Sequence, residues 1–235
     1  MPQPQLFSLI DKAIFDYKLI EPNDKILIGA SGGKDSTALI EYFANRAKRK
    51  NSAFSFTALH IQSEITPPLL EDIELLFQDW GVNVEYLNIE VLATLKKDVP
   101  MSCWWCSTRR RNELIKYAIQ NGYNKLALGH HLDDILETLL MNMLGKAQLS
   151  TMPPILHYKK YPLTIIRPLC YAPVEVIIEH CTERGYLTTT CTCTYQENSG
   201  RKSARSKLQA LTNGSRAEKI RLFESLKHIN AEYLP

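Results

Sequence analysis

Residues 25–36 read Lys-Ile-Leu-Ile-Gly-Ala-Ser-Gly-Gly-Lys-Asp-Ser. Ile26, Leu27 and Ile28 form a short apolar run of the kind that makes a buried strand. The run passes into Ser31, Gly32, Gly33, Lys34, Asp35 and Ser36, after which Thr37, Ala38, Leu39 and Ile40 open a helical pattern. Strand, glycine turn and helix N-terminus together present backbone N–H groups and a positive dipole end to an anion. Gly32 and Gly33 let the backbone approach a phosphate without an intervening Cβ, and Lys34 adds a point charge. The Walker pattern is excluded, because Ile28 stands where that pattern requires glycine.

Outward from this stretch, strand-like and helix-like segments alternate. Residues 6–18 are amphipathic, 53–61 and 82–87 read as strands, and Thr66-Pro67-Pro68 reads as a helix start. Residues 92–104 read as a loop, 125–129 as a fourth strand, and Asp133 as the cap of the following helix. After an irregular stretch at 146–162, residues 163–168 read as a fifth strand and Pro173 opens another helix. This alternation predicts an α/β fold with an open, mostly parallel sheet flanked by helices. Ligands in such sheets sit outside the carboxyl ends of the strands. Ser31 to Ser36, His60, the Cys103–Cys106 segment and Gly129 to Asp134 all follow strands, so one shared crevice is expected. The alternation stops near residue 187. Residues 188–235 read as a C-terminal extension: a Thr/Cys-rich stretch, a polar basic loop, and a helix capped by Ser215 and Glu218.

A chain of 235 residues with 45% hydrophobic content can bury one good core. It has no apolar run long enough to span a bilayer and no signal layout, so a cytoplasmic protein without a membrane partner is expected. The net charge of +3 is uninformative, but residues 201–235 carry eight Lys or Arg against three Glu. Such a segment is either a solvated surface or a contact for an RNA backbone.

Of six cysteines, Cys103 and Cys106 enclose Trp104 and Trp105, and Cys191 and Cys193 form a second close pair. Spacing alone leaves zinc, an iron–sulfur cluster and redox thiols all open. Arg109, Arg110 and Arg111 follow directly and suit a phosphate clamp. In Gly129-His130-His131-Leu132-Asp133-Asp134, Asp134 is the candidate for Mg²⁺ or for a place near phosphates.

Taken together these motifs resemble the tRNA 2-thiocytidine synthetases, the iron–sulfur-dependent branch of the PP-loop ATP pyrophosphatases. The likeness runs from about residue 20 to 200. It is carried by residues 31–36, the C-x-x-C at 103–106 with its arginines, residues 127–134, Met152-Pro153-Pro154 and residues 166–169. The resemblance implies an ATP-dependent tRNA sulfurtransferase that adenylates the C2 oxygen of an anticodon-loop cytidine, releasing pyrophosphate, and then replaces AMP by sulfide. It implies ATP and Mg²⁺ at Ser31, Gly32, Gly33, Lys34, Asp35, Ser36, His60 and Gly129, with Lys34, Asp35 and Asp134 catalytic. It also implies a [4Fe–4S] cluster on Cys103, Cys106 and a late cysteine, Cys193 or in reserve Cys191. Residues 1–187 would then form the nucleotide-binding domain, and 188–235 an extension carrying the third ligand. Arg109, Arg110, Arg111, Arg201, Lys202 and Arg205 would meet tRNA phosphates. A sulfur donor such as a cysteine desulfurase, and a homodimer, are further implications. Uridine thiolation, lysine ligation and a zinc-stabilised nucleotide-binding protein are the alternative readings.

Overall fold

A computed structural model describes residues 3–50, 52–94, 101–186 and 200–233 of the chain. Six strands form one sheet in the order β3-β2-β1-β4-β6-β5. They are β1 (Lys25–Gly29), β2 (Ser55–Gln62), β3 (Val84–Asn88), β4 (Lys125–Ala127), β5 (Ile155–His157) and β6 (Thr164–Ile166). All neighbours pair parallel except β5, which runs antiparallel to β6. The helices are α1 (Gln5–Tyr17), α2 (Lys34–Ala47), α3 (Glu71–Asp79), α4 (Cys103–Gln120), α5 (Leu132–Lys146), α6 (Val174–Glu183), α7 (Gly200–Thr212) and α8 (Arg216–Ser225). None of the described helices is long and apolar enough to cross a membrane.

Strand alternation divides the core in two. Ile26, Ile28, Ala58, Ala127 and Ile166 point to the face that carries α1, α2, α3, α5 and α6. Leu27, Leu59, Leu126 and Ile165 point to the other face, where Ile115 and Ala118 of α4 cover them. The chain leaves β1 toward β2 and β3, then returns to place β4 on the opposite side of β1. Between β1 and β4 the connections therefore diverge, and a crevice opens at the carboxyl ends of these two strands.

Several local readings are corrected. The 92–104 segment is not loop throughout: Cys103 and Trp104 begin α4, where Ser102 Oγ accepts from Trp105 N at 3.2 Å. Asp133 is not the helix cap. His131 fills that position in a reciprocal capping box with Asp134, because its ring nitrogen reaches the N3 amide. The helix expected from Pro67 begins only at Glu71, since Leu70 keeps an extended backbone. The irregular 146–162 stretch contains β5, a three-residue edge strand. The polar loop expected near 201 is the helix α7, which buries Ala204 and Leu208.

Helices α7 and α8 pack on α5. Lys219 of α8, only 2% exposed, donates to Asp133 and Glu175, each at 2.6 Å. Asp133 in turn accepts from the Val174 amide at 2.8 Å. Removing the ammonium would leave a buried carboxylate without its counter-charge. Lys219→Met is therefore expected to cost about 3 kcal/mol of unfolding free energy, read as a lower urea midpoint at unchanged slope.

Candidate nucleotide and sulfur site

The turn after β1 is shaped by its own side chains. Gly32 adopts φ +78°, and a Cβ there would meet Leu69 Cδ2 at 2.9 Å. Ser36 Oγ donates to the Gly33 carbonyl at 3.0 Å and takes the Ser31 amide at 3.2 Å and the Ser31 hydroxyl at 2.9 Å. The N-cap of α2 is Gly33, which offers no side-chain cap to the first-turn amides. The positive end of α2 thus stays available to an anion. Lys34 Nζ lies 3.0 Å from Asp35 Oδ2, and Cys181 of α6 sits behind it against the Lys34 carbonyl.

Gly129, after β4, closes against this turn. A Cβ at 129 would lie 3.2 Å from Ser36 N and 3.3 Å from Asp35 C. Only glycine permits that approach without displacing backbone.

Between the carboxyl edge of the sheet and α4 lies an open cavity of about 260 Å³. Gly29, Ala30, Ser31, Asp35 and Ser36 form one wall, and Leu59 and Ile61 of β2 supply an apolar flank. Opposite them stand Ser107, Arg110, Arg111 and Leu114 of α4, with Leu128, Gly129 and His130 closing the β4 side. The wall from α4 is a single helical stripe, because residues 107, 110/111 and 114 recur at one face of a helix. Positions 103 and 106 continue that stripe by one turn: residue 103 precedes Ser107 by four, and Cys106 precedes Arg110 by four. The C-x-x-C therefore starts the same helix that faces the turn after β1, on the same side of the sheet.

The other expected site residues are distributed as follows. His60 is fully buried and does not line the cavity; its Nδ1 contacts the Ala30 carbonyl at 2.7 Å. Burial holds its pKa below the usual histidine value, with Arg110 adding to the effect. Arg109 turns to Glu113 at 3.3 Å, whereas Arg110 and Arg111 face the cavity. Asp134 receives Arg201 at 2.8 Å and the His131 amide at 3.2 Å, and Arg205 donates to Glu137 at 2.7 Å. Burial raises the Asp134 pKa, but His131, Arg201 and the His131 amide outweigh it and hold the carboxyl below its ordinary value. Lys202 is exposed. Cys191 and Cys193 lie outside the described residues. Cys170 and Cys181 are buried, and desolvation pushes both thiols up to about 12, so they stay protonated packing groups.

The model of the PP-loop domain matches residues 6–209. Over 99% of this chain, the tRNA-cytidine(32) 2-sulfurtransferase of Anaeromyxobacter sp. is 32% identical and that of Marinobacter nauticus 30% identical. In each case the match covers 78% of the relative. The chain belongs to the PP-loop family, in its tRNA-cytidine(32) 2-sulfurtransferase branch.

Among solved structures, the U34-tRNA thiolase NcsA of Methanococcus maripaludis with its [4Fe-4S] cluster shares the fold. Its TM-score is 0.75 at 22% identity, covering 97% of this chain and 80% of that one. In this PP-loop protein the turn at residues 31–36 lies inside the matched span, and its geometry bears on what it can hold. An uncapped helix end, a glycine turn and a lysine suit a polyphosphate. Asp35 Oδ1 is buried, has no hydrogen-bond partner among the described residues and belongs to a cavity-lining residue. A buried carboxylate oxygen without a hydrogen bond, 4.0 Å from His131 Nε2, is of the type that fits a Mg²⁺ ligand. Asp134, already engaged by Arg201 and His131, is less available for that role. The C-x-x-C spacing puts two sulfur-bearing residues one helical turn apart at the start of α4, a donor type that suits a soft metal centre. Among the described residues no three metal-ligating side chains gather.

Sequence reasoning missed Leu59, Ile61, Ser107, Leu114 and Leu128, which read only as core or as solvated helix. It also left Arg167 unassigned. That arginine closes the apolar run of β6, and a charge at the carboxyl end of a parallel strand is the one signal that marked it.

Proposed function

We propose that this PP-loop protein thiolates a tRNA cytidine in an ATP-dependent reaction, converting it to 2-thiocytidine with release of pyrophosphate and AMP. The observation that carries the reading is the shared cavity: the loop at 31–36 and the helix begun by Cys103-x-x-Cys106 face each other across it. Membership of the tRNA-cytidine(32) 2-sulfurtransferase branch supports the choice of base.

ATP lies with its nucleoside side toward Ala30, Leu59 and Ile61 and its phosphates on the loop. Ser31, Gly33, Lys34 and Ser36 hold the β- and γ-phosphates, and Asp35 would hold Mg²⁺. The C2 oxygen of the cytidine attacks the α-phosphorus as the bond to pyrophosphate breaks, and Lys34 and the α2 amides stabilise the leaving charge. AMP is then the leaving group when a sulfur nucleophile adds at C2 and the C2–O bond breaks. Cys103, Cys106 and Cys193 (or Cys191) would hold a [4Fe–4S] cluster, and that group would supply the sulfur. Arg110 and Arg111, with Lys202 and the outer arginines Arg109, Arg201 and Arg205, face tRNA phosphates. His60 acts behind the nucleotide, by fixing the Ala30 carbonyl. A cysteine desulfurase is the source of the sulfur, and residues 188–235 serve as the extension that brings the third cysteine to the site.

Anaerobic purification with iron, sulfide and zinc assays tests the metal assignment. About four irons and four inorganic sulfides per chain, with broad visible absorption, are expected. A colourless protein with one zinc per chain would replace this reading by a zinc-stabilised nucleotide-binding protein.

A further inference from the structure

Arg167 stands at the carboxyl end of β6, pinned beside β4 by the Leu128 amide on the Ile166 carbonyl at 3.0 Å. Alternation along β6 places residue 167 on the same face as Leu163 and Ile165, the face covered by α4. The residue is 5% exposed. Its Nη1 donates to the Pro153 carbonyl at 2.5 Å, and its Nε is buried with no partner among the described residues. Burial, and repulsion from nearby Arg111, lower its pKa to about 10, so it remains a cation at neutral pH. His130 also carries a buried ring nitrogen, Nδ1, with no described partner. Burial holds that ring neutral, with its pKa down at about 3; the Asp134 carboxylate opposes the shift, and Arg167, Arg201 and Arg111 reinforce it.

Neighbouring arginines are paired: Arg109 with Glu113, Arg201 with Asp134 and Arg205 with Glu137. Neither Arg111 nor Arg167 meets a carboxylate among the described residues. A buried guanidinium with an orphan N–H is costly unless an anion reaches it. The turn at 31–36, which follows β1, has its own amides and Lys34 for a phosphate. Arg167 lies two strands further across the sheet, beyond β4 and away from the apolar nucleoside wall of β2.

We propose that Arg111, Arg167 and His130 form a second phosphate subsite, beside the ATP loop, that takes a backbone phosphodiester of the acceptor RNA next to the reacting nucleotide. Guanidinium forks match phosphate oxygens, and a neutral imidazole donates to them without adding charge. Held there, the phosphodiester fixes the target base over the cavity. The proposal rests on the tRNA reading above. The same oxyanion chemistry could instead be met by ATP, and the test separates the two sources.

The experiment measures binding of tRNA and of a non-hydrolysable ATP analogue to the full chain, for wild type, Arg111→Gln, Arg167→Gln and Arg167→Lys. Each Gln variant is expected to weaken tRNA binding about tenfold and to lower the slope of log affinity against log salt by about one. Affinity for the ATP analogue should stay within about twofold, and Arg167→Lys should keep the wild-type salt slope. Arg111 is exposed, so its variant reports even if Arg167→Gln fails to fold. Unchanged tRNA affinity and slope in the Gln variants overturns the subsite. Weakened ATP binding with intact tRNA binding also overturns it, by giving the anion to ATP. If wild type binds no tRNA, the functional reading fails and the RNA occupant falls with it.

Discussion

Lys34→Ala should reduce tRNA-dependent AMP formation at least about a hundredfold while leaving iron and sulfide content unchanged. Lys34 is the one ammonium in the turn after β1, its side chain is 13% exposed, and its described charge partner is Asp35 on the same turn. A cation held there balances charge that grows on the departing pyrophosphate, so its loss falls mainly on kcat. The turn itself should survive, because the hydroxyls of Ser31 and Ser36 and the Gly33 carbonyl hold it, not the ammonium. The check is rapid-quench measurement of AMP beside an iron assay on the same preparation. Retained AMP formation would remove the nucleotide from residues 31–36.

Cys193→Ala should abolish both the cluster and thiolation, to below about 1% of wild type, whereas Cys191→Ala should retain both. Cys106→Ala should behave like Cys193→Ala. Its position on the first turn of α4, four residues before Arg110 on the cavity wall, leaves no other residue on the described stripe to take its place. Iron content and the yield of thionucleoside are the measurements. A cluster lost in Cys191→Ala and kept in Cys193→Ala would exchange the third ligand.

What the sequence disclosed and what it withheld follow the strength of local signals. Ile26 to Ser36 were legible because a buried strand, two glycines and a helix start each leave an independent mark. The parallel sheet followed from alternation, and the shared crevice from where the motifs fell along it. β5 was hidden because three residues at a sheet edge, with only Ile155 half-buried, carry no period to read. α7 reads as a loop because its polar composition leaves only Ala204, Leu208 and Thr212 buried. The capping error had a physical source as well. Asp133 is the better intrinsic cap, but its carboxylate is drawn away to Val174 and Lys219, elements distant in sequence. Arg167 carries little local signal for a similar reason: its burial arises only once β6 and α4 are packed.

The claim on which all of this depends is that nucleotide activation and sulfur delivery happen in one cavity, on one bound base. It is tested most directly by a single-turnover reaction under anaerobic conditions, with reconstituted protein, unmodified tRNA, ATP and sulfide. Nucleosides are analysed by mass spectrometry, and AMP and pyrophosphate are counted in the same tubes. One 2-thiocytidine formed per AMP and per pyrophosphate is the predicted result. AMP released without any thionucleoside, or a thionucleoside formed without ATP, would contradict it.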